Sequence, residues 1–262
     1  MKIYRTLRSL IVAIALGCAF AAVVSAASPF AGKWKLNAAK SMLTGATDSV
    51  AAAGPNAWKF SYGTFSWTVK ADGTDQPTPF GNTVALKAIS PVKWELTYKS
   101  KGKVTATETW DLAADGKSIT RTSAGTHEDG TAFKDVVTVK RAAGDKGFAG
   151  TWEATEVKTS FSEVEVEAVG DTGLKITVPA EKTKFTLTFD GKENAVEGPK
   201  APPGMTISGK MSGPRKVEAV MKAGGKVLDS ETWEVSADGK TFTYTEKDSG
   251  EAKAQVSVFD KL

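Results

Sequence analysis

Cysteine is nearly missing: of 262 residues only Cys18 carries a thiol. It lies inside residues 1–26, where Lys2, Arg5 and Arg8 precede an apolar run from Leu10 to Val24 and "VSA" supplies small residues for cleavage. This pattern is expected of a secretory signal peptide cut near Ala26–Ala27, which places the chain outside the cell or in the periplasm. "ALGC" permits a lipoprotein anchored through Cys18. The residues that follow stay apolar, however, where a lipidated cysteine leads into a polar tether, so ordinary cleavage is preferred. The mature chain then has no thiol, which excludes disulfides, a cysteine metal site and a thiolate nucleophile.

Histidine is as scarce. His127, in the polar stretch "THEDGT", is the only one. It is read as a solvated turn residue, which leaves no Ser-His-Asp constellation and no histidine-based metal site. No apolar run long enough to span a membrane follows residue 26. No phosphate-binding or dinucleotide-binding glycine pattern is present. The excess of positive charge also vanishes with the leader: removing Lys2, Arg5 and Arg8 from 34 basic residues leaves 31 against 30 acidic ones. No electrostatic case for nucleic acid or an anionic membrane remains. No cofactor, metal or catalytic residue is expected.

What is present is a duplication. "GKVTATETWDLAADGKSIT" from Gly102 returns as "GKVLDSETWEVSADGKTFT" from Gly225, and "FAGKWKLNAAKS" from Phe30 returns as "FAGTWEATEVKTS" from Phe148. "SPVKWEL" from Ser90 matches "GPRKVEA" from Gly213, and "VTVKR" from Val137 matches "VSVFD" from Val256. The order is preserved, so the chain reads as a signal peptide over 1–26, a first repeat over 27–143 and a second over 144–262. A period this long, seen twice, indicates two domains rather than a solenoid.

Within each repeat the apolar period is two. Trp58, Phe60 and Tyr62 alternate with polar residues, as do Phe65, Trp67 and Val69, and Trp94, Leu96 and Tyr98. Such strands bury one face and wet the other, as antiparallel sheets do. Asp-Gly pairs such as 115–116 and 238–239 supply tight turns. Only "NAAKSML" (Asn37 to Leu43), with Asn37 as N-cap, looks helical. About eight strands per repeat are expected on pattern alone. Exposed edges vanish if each meander closes, so the expected fold is all-β, two tandem antiparallel up-and-down barrels.

The opening strand carries a resemblance. Gly32, Trp34 and Leu36, and again Gly150 and Trp152, resemble the Gly-x-Trp signature of the lipocalins and the start of the related fatty-acid-binding proteins. The chain also resembles secreted bacterial proteins with "WKLNxxKS" and "DGKxxT" segments. The resemblance implies lipocalin-like, calycin-type barrels, each closed at one end by its tryptophan, with the glycine allowing close approach. No later lipocalin motif is found, and the Arg-x-Tyr pair of fatty-acid-binding proteins is missing. A lipid ligand is implied by analogy of fold alone.

One feature admits a structural reading, in which acids at a barrel mouth or bonded to backbone groups do nothing else, and a functional one. Val104, Ala106, Glu108, Trp110 and Leu112 share the apolar face of one strand, and Val227, Asp229, Glu231, Trp233 and Val235 share it in the copy. Glutamate therefore points inward in both. Counting from Asp115-Gly116, Trp110 pairs with Arg121, leaving Arg121 diagonal to Glu108. In the copy, Trp233 faces Tyr244 and Glu231 faces Glu246. An interior Glu108–Arg121 pair and an interior Glu231–Glu246 pair follow. Dry unpaired carboxylates are costly, so the site is wet, its acids are satisfied by partners, or they sit at a barrel mouth. The candidate ligand-binding residues are Tyr98, Glu108, Trp110, Arg121, Glu231, Trp233, Tyr244 and Glu246.

Trp34, Trp58, Trp67, Trp94 and Trp110 crowd repeat one, whereas Val217 and Met221 stand in repeat two where repeat one has Trp94 and Tyr98. The second barrel should be the roomier. The Pro/Gly-rich loops 72–82 and 190–205 could be lids or plain connectors. The leading expectation is a non-catalytic binding protein for a small apolar or amphipathic ligand. A cell-envelope interaction module with filled barrels is the alternative. A hydrolase using Glu231 and Glu246 is a third and weaker one.

Overall fold

A computed structural model describes residues 28–63, 65–144, 146–160, 163–199, 201–251 and 253–262. The expected signal peptide, its cleavage site and Cys18 lie outside the described residues.

The first repeat folds as β1 (Gly32–Leu36), β2 (Thr47–Gly54), β3 (Ala57–Tyr62), β4 (Phe65–Lys70), β5 (Gln76–Pro77), β6 (Thr83–Ser90), β7 (Lys93–Ser100), β8 (Lys103–Leu112), β9 (Ser118–Thr126) and β10 (Ala132–Ala143). The second gives β11 (Gly150–Lys158), β12 (Glu163–Val169), β13 (Gly173–Val178), β14 (Thr183–Thr188), β15 (Asn194–Glu197), β16 (Met205–Gly213), β17 (Lys216–Ala223), β18 (Lys226–Val235), β19 (Thr241–Asp248) and β20 (Gln255–Lys261). All pairings are antiparallel. Each repeat thus has ten described strands rather than about eight; one of the extra strands in each comes from the loops at 72–82 and 190–205, which contribute the short β5 and β15. Since β15 joins β14 to β16 in the ring, the second of these loops is part of the wall.

The sheets do not follow the repeats. Strands β12 to β20 form a closed barrel whose last gap is filled by β1, paired on one side with β12 and on the other with β20. The other sheet runs β4-β3-β2-β11-β10-β9-β8-β7-β6-β5, with β11 occupying the place that β1 would take. An isolated bridge joins Asp72, just past β4, to Lys87 of β6, so the sheet is nearly closed. The repeats have exchanged their first strands. Barrel one is the run 47–158; barrel two is 163–261 with the strand near the chain start added. The duplication boundary at 143/144 falls at a hairpin inside barrel one.

The crossing segment is the one read as helical. Asn37 does cap a turn, its Oδ1 accepting from the Lys40 amide at 3.2 Å, but the coil makes one turn only. Met42 then bridges Val256 of β20, and Gly45 and Ala46 bond Ala154 of β11. Backbone bonding to both barrels outweighs the local helical preference of an isolated turn, whose nucleation is costly. Among the described residues the one helical segment is a 3₁₀ turn at Pro179–Glu181, and no helix is long and apolar enough to cross a membrane.

Each exchanged strand carries its own plug. Trp34 is fully buried, its indole N–H donating to the Phe30 carbonyl at 2.8 Å; Trp152 repeats this with Phe148 at 2.9 Å. A cation covers each ring: Lys261 lies 5.0 Å from the centroid of Trp34 and Arg141 lies 4.1 Å from that of Trp152. Gly32 and Gly150 have φ of 147° and 149°. A Cβ at Gly150 would lie 2.5 Å from the Ala143 carbonyl oxygen, so this close approach requires glycine.

The duplication reaches into the irregularities. Register shifts occur between Tyr98 and Lys99 and between Met221 and Lys222, the same place in each repeat. Beyond these bulges the alternation slips, which corrects the reading of two residues. Val104 and Val227 were assigned to the inward face but are 58% and 43% exposed.

The exchange makes a sharp prediction. Trp152→Ala, though in repeat two, should destabilise barrel one by about 3–5 kcal/mol, the usual cost of emptying a buried tryptophan site. Trp34→Ala should do the same to barrel two and leave barrel one intact. Denaturant unfolding followed by near-ultraviolet circular dichroism, which reads the aromatic cluster of barrel one, separates the two.

Candidate functional site

The hairpin registers agree with the sequence count. Trp110 pairs with Arg121, Trp233 with Tyr244, and Glu231 with Glu246. The reason for a glutamate two residues before a tryptophan is then visible. Side chains at i and i+2 of a strand share a face, and the indole N–H of Trp110 donates to Glu108 at 2.9 Å while that of Trp233 donates to Glu231 at 2.8 Å. A tyrosine completes each set. Tyr98 donates to Glu108 at 3.1 Å and Tyr244 donates to Glu231 at 2.9 Å. These tyrosines come from opposite neighbours of the glutamate strand, β7 in barrel one and β19 in barrel two, so the same Trp-Glu-Tyr arrangement is built twice by different routes. Burial raises both tyrosine hydroxyls well above their ordinary range and keeps them donors.

The copies differ in how charge is met. In barrel one, burial pushes Glu108 up and the Arg121 guanidinium pulls it back. The expected direct Glu108–Arg121 pair does not form. Arg121 instead makes a two-pronged ion pair with Asp48 of β2, Nη2 to Oδ1 at 2.9 Å, while its plane lies 3.8 Å from the Trp110 ring centroid. Asp48 wins because the guanidinium fork matches a carboxylate approaching in its plane, and stacking on Trp110 fixes that plane. Hairpin counting could not find Asp48, which comes from a strand that is no neighbour of β9.

Barrel two has no such arginine. Asp229 and Glu231 are buried at 5% and 3% exposure. They stand opposite Asp248 and Glu246 in register, so two successive carboxylate pairs face each other on the inner wall. Burial first, then the neighbouring acids, raise Asp229; burial raises Glu231, and Glu246 is pushed up to about 7. Sequence analysis named the Glu231–Glu246 pair and placed Asp229 inward. It missed Asp248, which one further step of the same register count reaches.

The interiors differ in their aromatic content. Barrel one is packed with rings: Trp94 stacks on Phe148 at 4.0 Å and lies 4.8 Å from Trp58 and 5.9 Å from Trp110. Barrel two keeps a cavity of about 300 Å³, with Val164, Val178 and Phe185 on its apolar side and Glu231, Tyr244 and Glu246 on its polar side. Trp233 lines it too. Of the remaining named candidates, Arg121 borders a separate space of about 290 Å³ that also touches Leu36 and Ser257, whereas Trp110 belongs to the filled core and Tyr98 packs against it. A cleft of about 350 Å³ joins the barrels, with Tyr62, Phe65 and Phe80 on one side and Met221, Asp229 and Glu246 on the other.

His127 is no solvated turn residue. Its Nδ1 lies 2.8 Å from Glu181 of barrel two, its ring is 4.8 Å from Phe133, and its side chain is 10% exposed. The polar turn that carries it is a contact between barrels, and the Asp129 amide adds a bond to the Ala180 carbonyl at 3.2 Å.

Comparisons with protein-family models, with curated proteins and with solved structures return no match.

The raised acids predict a pH dependence. Glu246 titrates near 7 in the folded chain against an ordinary 4.5. Between those values the folded state holds a proton that the unfolded chain has released, so its stability falls as pH rises through this window. With chelator present, barrel two should melt at a higher temperature at pH 5 than at pH 8. Glu246→Gln should flatten that slope, as thermal unfolding across pH would record.

Proposed function

We propose that this is an exported, non-catalytic binding protein that holds a small apolar or amphipathic ligand inside barrel two, in the manner of a lipocalin-like barrel. The observation that carries the reading is the lining of the barrel-two cavity: about 300 Å³ walled by Val164, Val178 and Phe185 and edged by Glu231, Tyr244 and Glu246. That volume sits at the lower end of ligand pockets, which run from about 300 to 1,000 Å³. The wall pairs valines and phenylalanine with a fixed acceptor and two further polar groups, the composition that orients a ligand with one polar end. Both oxygens of Glu231 are engaged, by Trp233 and Tyr244. This favours a positioned acceptor over an acid free to attack or to shuttle protons, and so favours binding over hydrolysis. The ring stacking of Trp58, Trp94, Trp110 and Phe148 supports a structural part for the aromatic core of barrel one, within the same reading. Export rests on the basic, apolar and small-residue pattern of residues 1–26.

The neutral dye N-phenyl-1-naphthylamine tests the reading. Its fluorescence should rise saturably with the mature protein. Val178→Phe, which fills the cavity from β13, should weaken the dye at least tenfold while the melting temperature holds. No uptake by the wild-type protein, together with no co-purifying small molecule in native mass spectrometry, would remove the proposal.

A further inference from the structure

The four acids of barrel two raise a question that ligand binding in the apolar cavity does not answer. Asp229 faces Asp248 and Glu231 faces Glu246 across one hairpin, and like charges directly opposite are destabilising. Repeat one shows the alternative. At the places of Asp229 and Asp248 it has Ala106 and Gly125, opposite Glu108 it has Ser123, and it keeps Arg121 close by. Repeat two has gained three carboxylates and has Tyr244 in place of the arginine. Among the described residues no lysine or arginine lines the cleft beside Asp229, Glu246 and Asp248.

These three converge. One carboxylate oxygen from each lies within 4.8 Å of those of the other two. Their partners are incomplete in a telling way. Glu231 is committed to Trp233 and Tyr244, and Asp248 accepts the Tyr62 hydroxyl at 2.7 Å through Oδ2 only. Asp229 is 5% exposed, and its Oδ1 is buried with no hydrogen-bond partner. A buried carboxylate with an unpartnered oxygen, set beside two further acids, is stabilised by a positive charge.

We infer that Asp229, Glu246 and Asp248 form a binding site for a hard divalent cation, of calcium's size, at the junction of the two barrels. Calcium takes oxygens at about 2.3–2.6 Å, so oxygens on opposite sides of it lie up to roughly 5 Å apart, which accommodates the observed spread. An all-oxygen, all-carboxylate set selects a hard ion over zinc or copper, which favour nitrogen and sulfur. The cleft leaves room for waters to complete the shell. Tyr62 comes from β3 of barrel one, so the ion would also fix a contact between barrels through Asp248.

The test uses the mature protein stripped with EDTA. Calorimetric titration with CaCl2 should show saturable binding. The melting temperature should rise with CaCl2, less with MgCl2, and not with NaCl at equal ionic strength. Asp229→Asn and Asp248→Asn should each abolish the calcium-dependent shift, whatever they do to the baseline stability. Glu193→Gln, an acid elsewhere on barrel two, should leave the shift unchanged. Two variants guard against one failing to fold, since the readout is the difference made by calcium. No saturable response to calcium would overturn the inference, as would a response that survives in both variants. A response confined to an organic amine such as hexylamine would overturn it too, and would assign the acids to a ligand headgroup instead.

Discussion

A sheet that ends leaves a row of unpaired amides and carbonyls, and a small barrel is stable because it has no such row. Here each barrel lacks one strand of its own and takes it from the other repeat. Strand β1 fills the gap between β20 and β12, and β11 fills the gap between β10 and β2. Everything else hangs on that closure. The plugging tryptophans arrive with these strands, as do Phe30 and Phe148, which belong to the two hydrophobic cores. The crossing segment that delivers β2 also bonds both barrels, and the two mouths are brought close enough for Tyr62 to reach Asp248.

Within this frame the copies have diverged at their polar centres. The shared element is an acceptor, a buried glutamate held by an indole and a phenol. In barrel one its surroundings are balanced by Arg121 and closed off by ring stacking. In barrel two the arginine gives way to tyrosine and the stacked tryptophan to Val217, which opens space and removes the balancing charge together. One set of substitutions thus produces both the cavity and the carboxylate cluster.

Much of this was legible in the residues. Strict alternation gave the strands, and counting back from Asp-Gly turns placed Trp110 on Arg121 and Glu231 on Glu246, because a tight turn leaves no freedom of register. Swapping Trp94 for Val217 was enough to expect the roomier barrel. The exchange was not read, since both first strands open with the same Phe-Ala-Gly-x-Trp and fit either gap equally. The cue was loop length: the connection from Ala143 to Gly150 is short enough to force β11 onto β10 as a hairpin, and the sheet then has no room for β1. The partnership of Arg121 with Asp48 was beyond reach for a related reason. It joins strands that are not neighbours, across an interior whose width the sequence does not state. His127 was misread because a polar turn looks solvated until a second body is packed against it.

The exchanged strand also sets an order of events. Barrel one is drawn from one unbroken stretch and can assemble from nearby segments as soon as β11 has been made. Barrel two cannot finish until β20 exists, and it then needs a segment synthesised near the very beginning. Strand β1 is therefore made before the rest of its barrel and seated last, while β11, which opens with the same Phe-Ala-Gly-x-Trp, takes the neighbouring slot. Contacts between such distant parts form slowly, so an early mistake, with β1 captured by barrel one, is the characteristic trap this architecture sets for itself.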